Sequence, residues 1–287
     1  MKRIVKGADK LEKMKLPHSV GLNFLSKTCD KHEIVALGKK VVKPVQMMLI
    51  DGLEVCPRCE KEKQDELLRE EQQHFYDNAN RLIKHNTLLR DSLISDKTIL
   101  KARFENYEVN QDEQKANKQE VMSLSEQYRS GHTFNIFIQG TTGAGKSHLA
   151  YSLLKNIHDS SDTISCLYVD IDEMIRKIKD SFNNKESKYT ESYFVNLLSE
   201  VDFLVLDDLG AEVGSIDTTR QATDFIQRVL RAVLNARQDK STITTSNLSS
   251  VQLKSIYDKK IISRLFKNPR YVVFEKTKDH RVKNVPF

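Results

Sequence analysis

The sequence predicts an α/β protein whose core is a parallel five-stranded sheet covered by helices on both faces. Three observations lead to this fold. Short apolar runs alternate with stretches of helical periodicity through the second half of the chain, the pattern of a doubly covered parallel sheet. One apolar run leads through a glycine-rich turn into a helix, and another ends in two aspartates. Both features are typical of the edge where such sheets bind ligands.

The glycine-rich turn lies in FNIFIQGTTGAGKSHLAYSL, residues 134–153. A turn that wraps an anion with backbone N–H groups needs positive φ and no Cβ in the way. The chain has only 10 Gly in 287 residues, yet three of them fall in this turn. The motif G-x-x-x-x-G-K-S therefore predicts a nucleotide site, with Lys146 on the phosphates and Ser147 on Mg²⁺. The predicted nucleotide-binding residues are Gly140, Thr141, Thr142, Gly143, Ala144, Gly145, Lys146, Ser147 and His148.

Polar residues also follow two later apolar strands. In VDFLVLDDLGAE the strand ends in Asp207 and Asp208. We expect Asp207 to hold Mg²⁺ through water and Asp208 to orient or deprotonate the attacking water. STITTSN ends in Asn247, whose amide is suited to hold that water against the γ-phosphate, although Ser-Asn is also ordinary turn chemistry.

The remaining elements of the core follow from the same alternation. The predicted order is strand 134–139, a helix from 148, strand 164–169, a helix, strand 202–206, helix 217–237, strand 242–245, a helix around 251–266 and strand 271–274. The last strand ends about a dozen residues from the C-terminus. We therefore expect no separate lid domain.

The region before the core reads as helical. Residues 60–130 contain neither Gly nor Pro, and apolar residues recur at helical spacing in 60–94. This pattern predicts a long helix, either a lever or coiled-coil-like partner surface, or simply a solvated connecting helix. A second helix is predicted over 112–130, leading into the first core strand.

Two short cysteine pairs, CDKH and CPRC, indicate a metal site in the N-terminal region. Cys29, His32, Cys56 and Cys59 form a C-x₂-H…C-x₂-C set, which suits tetrahedral Zn²⁺. So small a segment, with few large apolar residues, needs such a staple to fold. Free thiols beside an unrelated histidine remain an alternative, as does His18 in place of His32. Cys166, inside ISCLYVD, is predicted to be a buried core thiol.

Composition sets broad limits on function. The net charge of +6 and the pI near 8.9 fit a polyanionic partner. No signal peptide and no apolar run near 18 residues is found, so we expect a soluble cytoplasmic protein with no membrane partner. Tryptophan is absent and aromatic residues are few, so no aromatic platform for stacking bases is expected.

The motifs, in order and spacing, resemble one family. FENYEV, GTTGAGKSHLA, VDFLVLDDLGAE, TTSNLS, IISRLF and KDHRV are similar to those of the DnaC/DnaI-type replicative helicase loaders, which are AAA+ ATPases. The resemblance covers about residues 100–287. IstB-type transposition helper ATPases share this core. Zinc-binding N-terminal domains occur in loaders of Gram-positive bacteria and their phages, which favours such a source.

The resemblance implies roles for particular residues. Asn247 would be the first sensor, Arg264 an arginine finger given to a neighbouring subunit's ATP, and Arg281 a second sensor. The FENY segment would pass beside the adenine. Asp208 stands where Glu is commoner in AAA+ proteins, which implies slower or conditional hydrolysis.

The resemblance also implies a function and a domain plan. A zinc-binding, helicase-interacting domain (1–65) and a helical linker (66–100) would precede the AAA+ ATPase domain (101–287). The leading hypothesis is an ATP-dependent loader of a hexameric DnaB-type helicase onto single-stranded DNA. The basic run EMIRKIKDSFNNK would touch DNA, or is a solvated helix. The alternatives are a transposition helper that binds duplex DNA and an adaptor that barely hydrolyses ATP.

Overall fold

The computed structural model of the chain describes residues 23–36, 38–50, 52–213 and 221–277. These residues divide into two compact units, one within Met1–Asp77 and the other within Asn78–Phe287. Every helix in the described ranges is too short or too polar to cross a membrane.

The first unit is built from short antiparallel strands. They are β1 (Asn23–Cys29), β2 (Glu33–Ala36), β3 (Lys39–Val42), β4 (Val45–Ile50) and β5 (Leu53–Val55). Strand β4 lies between β1 and β5 in a three-stranded sheet, and β2 pairs with β3. Among the side chains of this unit whose burial is described, at 24–33, 38–50 and 52–77, Cys56 is the one apolar residue that is buried. The unit therefore has very little hydrophobic core.

A long helix follows, as the spacing predicted, but it is shorter than expected. Helix α1 (Pro57–His85) starts at a proline, whose fixed φ suits the first helical position. It ends at His85, and the separate turn α2 (Thr87–Arg90) follows. The break has a packing reason: Leu88 and Leu93 are buried in the core of the second unit, so the chain leaves the helix axis there.

The second unit confirms the predicted five-stranded parallel sheet. Its strands lie in the order β10-β6-β9-β8-β7, and each begins and ends within two residues of its predicted bounds. The strands are β6 (Asn135–Gly140), β7 (Cys166–Asp170), β8 (Phe203–Asp207), β9 (Ser241–Ser246) and β10 (Pro269–Phe274).

Helices cover both faces of this sheet, because the strands direct apolar side chains toward each face. The helices are α3 (Asp112–Arg129), α4 (Lys146–Ser160), α5 (Ile171–Ser181), α6 (Glu191–Glu200), α7 (Asp224–Ala236), α8 (Ser250–Ile256) and α9 (Lys259–Leu265). One core includes apolar residues of α3 and α4, and the other includes those of α5, α6, α7 and α9. Cys166 is fully buried in the first of these cores, as predicted.

Two predicted helices need correction. The single helix expected around 251–266 is broken between α8 and α9, because Tyr257 is buried and Asp258 caps the second helix through its carboxylate. The helix expected over 217–237 begins only at Asp224 in the described residues, where Thr223 caps it. Residues 214–220 lie outside the described residues, as does the 278–287 segment that bears on the expected absence of a lid.

An unpredicted segment extends the edge of the sheet. Leu93 forms a parallel bridge with Val169 of β7: its N–H donates to the Tyr168 carbonyl, and its carbonyl accepts from the Asp170 N–H. The Ser92 hydroxyl also accepts a hydrogen bond from the Tyr168 N–H at 3.0 Å. Residues 94–99 are thereby held beside the carboxyl ends of the strands.

Candidate functional site

The glycine-rich turn joins β6 to α4 and requires its glycines. Gly143 and Gly145 have φ values of 74° and 95°, which residues other than glycine rarely adopt. A Cβ on Gly145 would lie 2.8 Å from the ring of Tyr107, and one on Gly140 would lie 2.5 Å from the Cβ of Phe274. Side chains larger than glycine are thus excluded at both ends of the turn.

Lys146 is held over this turn by two acceptors. Its ammonium Nζ donates to the Thr141 carbonyl at 2.8 Å and to Oδ1 of Asn247 at 2.6 Å. The side chain is buried, so its charge acts in a medium that screens weakly. These contacts place the cation at the mouth of the predicted phosphate site.

Asp207 and Asp208 occupy different positions at the end of β8. Thr245 of β9 hydrogen-bonds to both residues. Its hydroxyl donates to Asp207 Oδ1 at 2.6 Å and accepts from the Asp208 N–H at 2.8 Å. Asp208 has φ of 59°, in the left-handed region that aspartate adopts more easily than most residues. The backbone turn therefore separates the buried Asp207 carboxylate from that of Asp208.

Asn247 connects the lysine to the second aspartate. Its Oδ1 accepts from Lys146, and its Nδ2 donates to Asp208 Oδ1 at 2.6 Å. Because an amide carries both a donor and an acceptor, one side chain bridges the cation and the anion. The predicted residues Lys146, Asp207, Asp208 and Asn247 are thus brought together.

These groups line one pocket of about 430 Å³. Ser147 also lines it, together with Asp170 at the end of the edge strand β7. Hydroxyl and carboxylate oxygens are the ligands that Mg²⁺ prefers. The pocket therefore fits a magnesium nucleotide. Lys146 and the N–H groups of the turn suit its phosphates, and Ser147 and Asp207 suit the cation.

The wall opposite the turn was missed by the sequence analysis. Ser95, Asp96, Thr98 and Ile99 line the pocket. Ser95 donates its hydroxyl proton to Asp170 at 2.6 Å, and Asp96 caps a 3₁₀ turn through the Thr98 N–H. The available signal was the polar run DSLISD, which indicates a turn but no phosphate chemistry.

Some predicted nucleotide residues face elsewhere. Of the nine predicted binding residues, Gly140, Thr141 and Ala144 are absent from the described lining of the pocket. Thr141 donates its hydroxyl proton to the Thr277 carbonyl at 3.1 Å. His148 lines the pocket, yet its Nε2 lies 3.0 Å from the Arg103 carbonyl. This contact, with that of Tyr107, places the FENY segment against the turn.

The two predicted arginines are not among the described residues of the pocket. Arg264 lies on α9, and its Nη1 donates to the Lys260 carbonyl at 2.8 Å. Its Nε is buried and has no hydrogen-bond partner in the described part of the chain. Arg281 lies outside the described residues.

The cysteine pairs of the first unit meet as predicted. The ligand atoms of Cys29, His32, Cys56 and Cys59 all lie within 4.8 Å of one another. Cys29 Sγ and Cys59 Sγ are 3.8 Å apart, and two sulfurs bound tetrahedrally to one Zn²⁺ at 2.3 Å lie about 3.8 Å apart. The alternative ligand His18 lies outside the described residues.

The surroundings of the cluster also fit a metal. His32 Nε2 lies 3.2 Å from Cys56 Sγ and 3.3 Å from Cys59 Sγ. The other ring nitrogen, Nδ1, lies 3.4 Å from Glu62, and a carboxylate in this position commonly orients a metal-bound histidine.

The thiols of this cluster differ in acidity. Burial acts to raise the pKa of Cys56, but hydrogen bonds, the largest from the Cys59 backbone, lower it to about 7. Burial, followed by hydrogen bonds and charges from the Cys29 and Cys56 thiols, raises the pKa of Cys59 to about 11. Mutual repulsion of this kind is relieved by a dication, because metal binding stabilises thiolates.

Comparisons with known proteins agree with the nucleotide site. Residues 61–267 match the family model of IstB-like ATP binding proteins. The chain is similar to the replicative helicase loader DnaC of Buchnera aphidicola subsp. Baizongia pistaciae, with 26% identity over 193 residues, 65% of this chain and 71% of that protein.

Two solved structures share the fold of the second unit. The crystal structure of the DnaC helicase loader matches with a TM-score of 0.52 and 22% identity, over 63% of this chain and all (100%) of that one. The crystal structure of DnaI matches with a TM-score of 0.51 and 20% identity, over 63% of this chain and 95% of that one.

Replacing Cys56 by serine should abolish zinc binding, because it removes a thiolate from the metal cluster. The purified chain should carry one Zn²⁺ per molecule. The variant should lose it and unfold the first unit, which has little core of its own, while ATP binding in the second unit persists. Metal analysis, limited proteolysis and nucleotide titration measure the three effects.

Cys166→Ala is the matched control, since this thiol lies in the core of the second unit. It should keep the zinc. Protein that contains no metal after purification without chelators would contradict the assignment.

Proposed function

The chain belongs to the family of IstB-like ATP-binding proteins, and on that basis we propose that it is an ATP-dependent loader of a hexameric replicative helicase onto single-stranded DNA. The observation that carries the proposal is the convergence of Lys146, Ser147, the two aspartates and Asn247 in one pocket. It is supported by similarity to a protein named as a replicative helicase loader.

The pocket supplies the groups that ATP hydrolysis needs. In this reaction the oxygen of a water forms a bond to the γ-phosphorus, and the bond from that phosphorus to the β–γ bridging oxygen breaks. Lys146 offsets phosphate charge, and Asp208 orients the water and accepts its proton. Asn247 hydrogen-bonds to both residues, so it can hold the Asp208 carboxylate in a fixed position relative to the Lys146 ammonium. The short Asp208 side chain fits slow or conditional hydrolysis.

The first unit is our candidate for the helicase contact. The family match begins at residue 61, so the metal cluster and the small sheets lie before the matched residues. Phe24, Leu49 and Leu53 expose large apolar side chains on this unit, Leu53 at 69%. Exposed apolar groups of this kind mark protein-binding surfaces. We keep 1–65, 66–100 and 101–287 as proposed boundaries of the contact domain, linker and ATPase domain.

The surface around α5 is our candidate for the DNA contact. Lys177 and Lys188 lie 4.8 Å and 5.1 Å from the centre of the Tyr189 ring. Phe182, which is 62% exposed, packs edge-on against Phe225 at 5.6 Å. Composition gave no reason to expect such a group of aromatic residues. Cations beside aromatic rings suit a single strand, whose bases stack and whose phosphates are anionic.

Carboxylates on α5 would compete with DNA for the cations of this helix. Arg176 binds Glu173 through Nε and Nη2, at 2.9 Å and 2.6 Å, and its Nη1 lies 3.3 Å from Asp180. Lys177 also pairs with Glu173. Phosphates therefore compete with carboxylates for these two cations, which favours weak binding that depends steeply on salt.

A transposition helper is the second candidate, and the match to the IstB-like family model favours it. The two functions differ in their nucleic acid. A loader should prefer single-stranded DNA and a helicase, whereas a helper should prefer duplex DNA and a transposase. An adaptor that barely hydrolyses ATP would show no ATPase activity even with helicase and single-stranded DNA present. A pull-down of a replicative helicase by the full chain, together with these ATPase measurements, separates the three.

Neutralising Arg176, Lys177 and Lys179 together, each to glutamine, should flatten the salt dependence of single-strand binding. Each lost phosphate contact lowers the slope of log K against log salt by about 0.7, so the triple variant should lose about 2. Fluorescence anisotropy with a labelled oligonucleotide at several salt concentrations measures the slope.

A matched triple variant, Lys115→Gln, Lys118→Gln and Arg129→Gln, removes the same charge from α3 on the opposite face of the sheet. Its slope should stay near that of the wild type. Glu173→Gln should bind more tightly at low salt, because it removes a competing carboxylate. An unchanged slope in the α5 variant would place the DNA elsewhere.

Arg264→Ala should retain ATP binding but lose hydrolysis, by about 10³-fold or more if Arg264 is an arginine finger. Because Arg264 is absent from the described lining of its own pocket, we propose that it acts on a neighbouring subunit. Lys146→Ala should lose ATP binding. Mixing the two inactive variants should restore activity, since the Arg264→Ala subunit keeps a working turn and borrows Arg264 from its neighbour.

Lys267→Ala, which removes another cation just beyond α9, is the control and should remain active. Co-assembly of the mixed variants is checked by cross-linking. If co-assembled mixtures stay inactive, Arg264 does not act between subunits.

A further inference from the structure

Tyr168 is a buried residue whose hydroxyl makes no close hydrogen bond within the described ranges, although the Asp207 and Ser147 side chains interact with it at longer range. The side chain lies in the middle of β7 and is 1% exposed. Its hydroxyl oxygen is buried and has no close hydrogen-bond partner in that part of the chain. Burying a hydroxyl without a partner is unfavourable, and phenylalanine would fill the same space without this cost. The hydroxyl is therefore only weakly satisfied by the described residues.

This hydroxyl is directed into the nucleotide pocket. Tyr168 lines the pocket with Ser147 and Asp207, and both side chains interact with its hydroxyl at longer range than an ordinary hydrogen bond. Burial, and after it the charge of Asp207, raises the pKa of Tyr168 well above its usual value. The phenol thus faces the carboxylate and hydroxyl that fit the magnesium ion.

Strand register explains this placement. Tyr168 is opposite Val205, and Asp170 is opposite Asp207, in the parallel pair of β7 and β8. Side chains two residues apart on a strand share a face, so Tyr168 and Asp207 are diagonal neighbours on the α4 side of the sheet. The ring of Tyr151, on α4, packs edge-on against Tyr168 with centroids 5.6 Å apart. The phenol is therefore held by packing from the helix that Lys146 begins.

A phenol in this position can act on two groups at once. It carries one proton to donate and lone pairs that accept. Asp207 already receives the Thr245 hydroxyl on Oδ1, which leaves further acceptor positions on its carboxylate. The phenol oxygen also keeps a lone pair for a further donor, and a water held by a cation would be a strong one.

We propose that Tyr168 is a positioning residue of the magnesium end of the site, where its hydroxyl donates to Asp207 and accepts from water that the cation brings. The proposal rests on the proposed ATPase function and extends it to a residue outside the nucleotide motifs. It requires that the hydroxyl contribute to binding of the magnesium complex and not to folding. Simple space-filling by the ring would leave the hydroxyl without effect on either.

Tyr168→Phe tests the proposal because it removes the hydroxyl alone. The nucleotide-free variant should have a nearly unchanged or higher melting temperature, since the buried hydroxyl that is lost makes no close hydrogen bond. Its affinity for a non-hydrolysable ATP analogue with Mg²⁺ should fall roughly tenfold. With EDTA in place of Mg²⁺, variant and wild type should bind the analogue equally. Calorimetry measures the affinities, and scanning fluorimetry measures the melting temperatures.

Two further variants make the test specific. Tyr151→Phe removes a phenol hydroxyl from the neighbouring ring, which is not among the described residues of the pocket, and should leave magnesium-dependent binding unchanged. In an Asp207→Asn background, the effect of Tyr168→Phe should shrink, because interacting residues are not additive.

The outcomes separate this inference from the proposed function. If the wild type binds no magnesium–ATP analogue, or Lys146→Ala binds as well as the wild type, the ATPase assignment fails and the inference fails with it. If the wild type binds but Tyr168→Phe keeps the same affinity and magnesium dependence, only the inference is overturned. Equal losses with Mg²⁺ and with EDTA, together with a lower melting temperature, would also overturn it.

Discussion

The bridge that Asn247 makes between Lys146 and Asp208 depends on the order of the strands. Strand β9 lies between β6, which leads to the lysine, and β8, which leads to the aspartates. A residue at the end of this middle strand lies next to both neighbours, and Asn247 directly follows β9. Residues that are 101 and 39 positions away in the chain thus meet at one amide. The pocket is therefore a consequence of the crossover topology as much as of the motifs.

The predictable parts of the site are those that local chemistry determines. The glycine turn follows from backbone geometry, because Gly145 needs a positive φ and has Tyr107 against it. The strands follow from apolar runs, because a doubly covered parallel sheet buries both faces. The cysteine set follows from its spacing. In each case the residues that reveal the feature are neighbours in sequence.

The parts that were missed depend on distant contacts. The pocket wall at residues 94–99 exists because Leu93 pairs with the edge of β7, and one bridge leaves no periodic pattern in a polar run. The break after α8 depends on Tyr257, which is buried and hydrogen-bonds to the carboxylate of Glu212. The short strands of the first unit were missed because their side chains are largely exposed, which removes the alternation that marks a strand.

The two units obtain their stability from different sources, and this bears on their roles. The second unit has two large apolar cores, so its fold does not depend on a ligand, and its nucleotide site lies on a rigid sheet. Among the described residues of the first unit, buried side chains are concentrated at the metal cluster, in His32 and Cys56. We expect a small unit of this kind to be stabilised mainly by a metal bound at this cluster. Its surface residues are consequently constrained little by packing, which is compatible with the partner-binding role proposed for this unit. The match to a general ATP-binding family begins at residue 61. This boundary agrees with the proposal that the first unit selects the partner and the second unit carries out the nucleotide chemistry.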